Sequence, residues 1–171
     1  MPRPLQVSFE SPVTVEQVLS AFANESYWTD RISAFGGSVT LDALVTDDDG
    51  TVRVDTVQDL RHDMLPGMIA RIYPSDVMIS RRETWRPVGG RRVDGAMNVS
   101  VTGAPGSGRG TACLTSFGNG AQLTVKATVE FGVPLIGGRI ERYLAGQLAE
   151  GICDIQRFTT SWITQHDAGS K

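Results

Sequence analysis

No apolar run in the sequence approaches the ~18 residues that a membrane-crossing helix needs, so stable insertion into a bilayer is not expected. Cysteine is nearly absent. Cys113 and Cys153 stand apart with no C-x-x-C pair, which points to two buried reduced thiols rather than a metal site or a disulfide. Positive charge is also scarce: 16 Lys and Arg face 19 Asp and Glu, and the formal charge of −3 has the wrong sign for a nucleic-acid partner. The opening MPRPLQVSFE lacks a basic stretch followed by an apolar core, so no secretory signal is read and the expected compartment is the cytoplasm. The sequons at Asn24 and Asn98 then carry no weight. No Ser-His-Asp order, zinc spacing or dinucleotide fingerprint occurs, and neither cofactor nor metal is expected. The run DDDG would need an acid at Val45 and a later glutamate to hold calcium, so it reads as a solvated turn.

What is present fits one soluble globular domain. The 171 residues are 40% apolar and 20% charged, enough for one sizeable core and too few for two ordinary domains. The domain is expected to span residues 1–166, with a disordered tail at 167–171. Leu5, Val7 and Phe9 alternate with polar neighbours, as on a half-buried strand. Thr14 with Gln17 forms a capping-box pattern before VEQVLSAFAN, and a second short helix, ESYWTDRISAF, ends at Gly36–Gly37. Strand-like runs then follow one another to Phe131: SVTLDALVT, TVRVDTVQDL, DVMISRRETWRP, RRVDGAMNVSVT, TACLTSF and AQLTVKATVEF. In the last, Leu123, Val125, Ala127, Val129 and Phe131 share one face, which implies antiparallel strands covered on a single side. The cover comes last: Ile136, Ile140, Leu144, Leu148, Ile152, Ile155, Phe158 and Trp162 form one apolar helical stripe.

The connections between strands sort by length. TDDDGT, VGGR and FGNGA are tight hairpins, whereas 60–76, 103–110 and 132–138 are long. In a meander the long ones gather at one end, which is then built differently from the other. One of them, GAPGSGRGT, approaches a phosphate-binding loop with Arg109 in the lysine position. A phosphate loop must lead into a helix, however, and here a β-branched run and a hairpin follow. Nucleotide binding is therefore not expected, and Gly103 to Gly110 reads as a flexible loop at the rim.

The order strand, two short helices, six strands and a long C-terminal helix resembles the helix-grip fold of the START-like (SRPBCC) superfamily, which includes birch-pollen-type allergens. More narrowly, ETWRP and VPLIGGRIERYL resemble an uncharacterised actinobacterial family within it. The resemblance implies an α+β fold in which a curved antiparallel sheet of about seven strands wraps a long helix. It also implies a cavity between them, opening at the long-loop end. No catalytic residue is carried over from it.

The candidate ligand-binding residues are Met64, Met68, Ile69, Trp85, Met97, Val99, Val125, Leu135, Leu144 and Leu148, with Arg81 and Glu83. Methionines adapt to irregular apolar shapes, so Met64 to Ile72 reads either as a lid or as a satellite core under a long loop. Arg81 and Glu83 share strand parity with Trp85: they form a polar pair inside the cavity, or a register bulge turns both to water. Gly146, Ala149 and Gly151 on the covering helix either leave room for a ligand or allow close packing. His62 with Asp63 and Arg61 is the one cluster that resembles acid-base chemistry, while His166 falls in a frayed tail. The leading expectation is a non-catalytic carrier or sensor of a hydrophobic small molecule such as a lipid, sterol-like compound or polyketide. A cyclase, dehydratase or hydrolase using Glu83, His62 or Asp63 is the first alternative, and a protein-interaction module the second.

Overall fold

The computed structural model describes residues 2–35, 38–60, 71, 77–89 and 91–169. Strand β1 (Arg3–Ser11) leads through a short turn into helices α1 (Val15–Phe22) and α2 (Glu25–Phe35). The strands β2 (Ser38–Thr46), β3 (Val52–Leu60), β4 (Val77–Pro87), β5 (Arg92–Thr102), β6 (Gly106–Phe117) and β7 (Gly120–Phe131) follow, and α3 (Gly137–Gly169) closes the chain. All pairings are antiparallel in the order β1-β7-β6-β5-β4-β3-β2, an open seven-stranded sheet with a helix-grip arrangement. The capping box forms as the sequence indicates: Gln17 N–H donates to Thr14 Oγ1 and Thr14 N–H to Gln17 Oε1.

Turn chemistry separates the two ends of the sheet. Gly50, Gly89 and Gly118 adopt positive φ in the three tight hairpins, a conformation that costs a residue without Cβ nothing. In DDDG, Thr51 N–H donates to Asp49 Oδ1 and Gly50 N–H to Asp47 O, a closed turn. Around this end lies the main core, where Phe22, Tyr27, Trp28, Trp85 and Trp162 meet Val52, Val54, Val93, Leu114 and Leu123. A separate small cluster, Phe131 and Ile140 with Ala104, Val133, Ile136 and Leu144, sits at the opposite end.

Several expectations need correction. Gly106 to Gly110 is strand, not loop: Gly106 pairs with Phe131, Gly108 with Val99 and Val129, and Gly110 with Met97 and Ala127. The β5–β6 connection shrinks to residues 103–105, since two flanking strands satisfy the backbone that glycine alone would leave free. The tail also differs. Helix α3 runs through residues 167–169, and His166 stacks on Trp162 with ring centroids 3.7 Å apart. Asp167 accepts a hydrogen bond from Gln17 Nε2, tying the last turn to α1. Gly146 faces solvent with open space around it, so it neither widens a cavity nor permits close packing. Cys113 and Cys153 are free and half-buried.

Candidate functional site

The two cores are separated by a cavity of about 550 Å³, roofed by α2 and α3 and floored by β2 to β7. Its position follows from how α3 lies. The helix rests against β1 and β7, and Glu141, fully buried, accepts from Phe131 N–H at 2.9 Å and pins the first turns to the end of β7. The middle of the sheet curves away from the helix, and the inward positions of β6 there are Gly106 and Gly108. A side chain at either would occupy the space. A Cβ built on Gly108 meets nothing nearer than Val99 Cβ at 3.6 Å, and on Gly106 it comes 3.2 Å from the Phe131 ring. These glycines are the space-making residues that sequence reasoning missed. The signal was there: glycine at 106, 108 and 110 repeats with period two, the period of one strand face.

The deep end of the cavity is charged. Arg81 and Glu83 face inward because β4 pairs with β3 and β5 in unbroken register, so the bulge alternative falls. The irregularity lies instead in β2, between Leu41 and Ala43. Glu83 is 3% exposed and lies 3.4 Å from Arg81 Nη2 and 3.8 Å from Arg31 Nη2. Both separations exceed the ~2.8 Å of a charge-assisted hydrogen bond. Arg31 comes from α2, is 8% exposed, and lays its guanidinium 4.5 Å from the Trp28 ring. Nothing in its helical spacing marked it as buried. Burial opposes the Arg31 charge, but neighbouring Tyr27 and Glu83 outweigh that and raise its pKa above the ordinary arginine value. Burial pushes the Tyr27 phenol up, with Arg31 and Thr159 pulling the other way, and its hydroxyl meets Thr159 Oγ1 at 2.7 Å. Arg81 Nη2 also approaches Met97 Sδ at 3.7 Å, while Arg81 Nε has no hydrogen-bond partner.

The residues expected to bind a ligand divide. Val99, Leu144, Leu148, Arg81 and Glu83 line the cavity. Trp85 and Val125 lie in the packed core, and Met97 sits against that core beside Arg81. Trp85 is drawn away because its ring covers Gly95 on the neighbouring strand. Leu135 is wholly exposed at φ 71°, in a turn that carries its side chain outward. Met64, Met68, Ile69, Ile72, Arg61, His62 and Asp63 lie outside the described residues. The walls are also more polar than expected, adding Arg31, Thr56, Gln58 and Gln147 to apolar Ile32, Val39, Ile79, Val101 and Ile155. A second hollow of about 770 Å³ lies on the outer face, between Gln6, Asn98, Arg109, Thr111, Lys126 and Thr128. It is a trough open to solvent, without a roof.

Among the described residues no helix is long and apolar enough to cross a membrane, and no three His, Cys, Asp or Glu converge as metal ligands. Compared with known proteins, the chain is 34% identical over 173 residues to uncharacterised proteins of Mycobacterium tuberculosis and Mycobacterium bovis, covering 97% of this chain and 99% of theirs. The fold matches the crystal structure of TTHA0849 from Thermus thermophilus with a TM-score of 0.61 at 14% identity, covering 96% of this chain and 99% of that one. It matches Ara h 8.0201 with a TM-score of 0.54 at 10% identity, covering 96% and 99%. A START superfamily protein from Mycobacterium smegmatis gives 0.53 at 11% identity, covering 95% and 97%. These likenesses establish the START-like, helix-grip fold. A family model described as "Protein of unknown function (DUF2505)" matches residues 6–163, and the chain belongs to that family.

Proposed function

We propose that the chain is a cytoplasmic carrier or sensor that holds a hydrophobic small molecule, such as a lipid, sterol-like compound or polyketide, between the sheet and α3. The observation that carries this reading is the cavity itself: about 550 Å³ of space between two packed cores, walled largely by aliphatic side chains. Ligand sites commonly fall within roughly 300–1,000 Å³ and pair apolar walls with a few convergent polar groups. Val99, Leu144 and Leu148 supply part of the wall, and Arg81 and Glu83 the polar groups. Met64, Met68 and Ile69 complete the proposed ligand-binding set from the β3–β4 connection. A space left by glycines on a strand face is costly to a fold that has no use for it, because voids forfeit packing contacts.

Native mass spectrometry of protein purified under mild conditions, with solvent extraction of whatever is bound, tests the reading. The expected result is a co-purifying apolar molecule, or saturable uptake of an added fluorescent lipid by the emptied protein. A protein that carries nothing and takes up no apolar probe would defeat the proposal.

A further inference from the structure

The cavity is not electrically neutral. Arg31 and Arg81 bring two guanidinium groups to its deep end, and among the described residues the single carboxylate facing them is Glu83. Tyr27 stands beside Arg31, but burial keeps it a neutral phenol. Glu130 also borders the cavity, yet it is exposed on an outward-facing strand position, where water screens its charge. The remaining polar groups of the wall, including Thr56, Gln58 and Gln147, are uncharged. Among the described residues, then, one positive charge at the cavity floor has no counterpart. The ion pairs themselves are long, at 3.4 and 3.8 Å. The three side chains are gathered without being closed upon one another.

We infer that the cavity takes an amphipathic monocarboxylate, headgroup first, with its carboxylate against Arg81 and Arg31 and its apolar chain running out past Val101, Leu144 and Leu148. This rests on the hydrophobic-ligand reading above and specifies the ligand's class. One negative charge neutralises the excess, and the planar fork of a guanidinium matches a carboxylate in shape. A neutral hydroxyl would accept from an arginine or donate to Glu83 but leave the charge uncompensated in an apolar surrounding, the costlier outcome. The geometry also sets the direction. Glu83 lies beside the Trp85 core, and Val77, at the other end of the inward face of β4, lines the same cavity among apolar side chains. Six residues of strand at ~3.3 Å each give a depth of about 20 Å, a channel suited to an extended chain.

The test uses full-length protein stripped of bound lipid and three probes of equal chain length: dodecanoate, 1-dodecanol and methyl dodecanoate. They are titrated at pH 8 and read by calorimetry and by the fluorescence of Trp28, which lines the cavity. Dodecanoate is expected to bind about tenfold or more tightly than the alcohol or the ester. Arg81→Met should erase that preference by weakening dodecanoate far more than the alcohol, and Glu83→Gln should strengthen dodecanoate alone. Equal binding of acid and alcohol, or a preference that survives Arg81→Met, would overturn the inference while the hydrophobic-ligand reading stands. Failure of all three probes would count against that reading itself. Should the Arg81 variant not fold, carboxyl-labelled dodecanoate bound to unaltered protein decides by NMR: an ion-paired headgroup stays ionised to lower pH than the free acid. A headgroup that titrates like the free acid would overturn the proposal.

Discussion

At the scale of single residues, the packing depends on a glycine whose absent side chain another residue uses. Gly95 and Trp85 are register partners on β5 and β4, and a Cβ on Gly95 would lie 2.6 Å from Cζ3 of the indole. The ring is walled in by Phe22, with centroids 4.8 Å apart, and cannot retreat cheaply. Gly95→Ala should therefore destabilise the fold by about 1–3 kcal/mol, measured as a fall in the denaturation midpoint. Gly146→Ala is the opposite case: a helix-interior glycine with open space around it should gain about 0.5–1 kcal/mol. If both variants shift stability the same way, the contact geometry is not what governs them. Tyr27 makes a pH prediction. Burial raises its folded-state pKa, so above the ordinary tyrosine value near 10 the unfolded chain releases a proton that the folded chain retains. The unfolded state then binds fewer protons, and stability falls as pH rises from about 10. Tyr27→Phe should flatten that alkaline decline in urea titrations, at the expense of the Thr159 hydrogen bond.

Among the elements, β6 shows what was legible in the sequence and what was not. Its second half, from Thr111, announces itself through β-branched and apolar residues, and so does nearly all of β7. Its first half is GSGRG, where low intrinsic strand preference argues for a loop. Pairing with β5 on one side and β7 on the other overrides that preference, a tertiary effect that no local window contains. Strand parity with Trp85 left Arg81 and Glu83 either as an inward pair or turned to water by a bulge, and only the unbroken register of β4 decides between them. Arg31 was not legible, because a charged residue on a weakly amphipathic helix looks solvated; only the docking of α2 over the sheet buries it. The hairpin-rich end was legible because positive-φ turns have a strict residue requirement. If β6 makes the space, then filling β6 should remove it. Gly108→Val places a strand-favouring side chain where the nearest atom to the new Cβ is 3.6 Å away. Stability should rise by about 0.5–1 kcal/mol while uptake of an apolar probe falls at least about tenfold. Unchanged uptake would show that the ligand, if any, sits elsewhere.

Over the whole molecule, the two cores make a gradient of stability along the sheet. The hairpin end holds five large aromatic rings and most of the buried aliphatics; the other end has Phe131 and Ile140 with a few half-buried neighbours. Hydrogen bonds to side chains reinforce the first end, with Trp28 Nε1 donating to Phe22 O at 2.7 Å and Trp162 Nε1 to Asp30 Oδ2 at 2.8 Å. Amide exchange follows local opening, and opening is easier where fewer apolar contacts must be broken. Backbone amides of Val52–Val54, Trp85, Val93 and Leu123 should therefore exchange at rates set by global unfolding. Those of Leu60, Val101, Gly106–Gly108 and Val129–Phe131, at the other end of the sheet, should exchange faster. A cavity lying between the two cores couples this gradient to binding, because a ligand held only by the closed state stabilises it in proportion to the logarithm of its concentration over Kd. Saturating the protein with a bound apolar molecule should slow exchange chiefly in the second set and bring the two ends closer together. Hydrogen-exchange mass spectrometry on empty and loaded protein reads both halves of this expectation. Uniform exchange along the strands of the empty protein would mean that the second cluster is as firm as the first. Protection spread evenly on loading would mean that the molecule is not held between them.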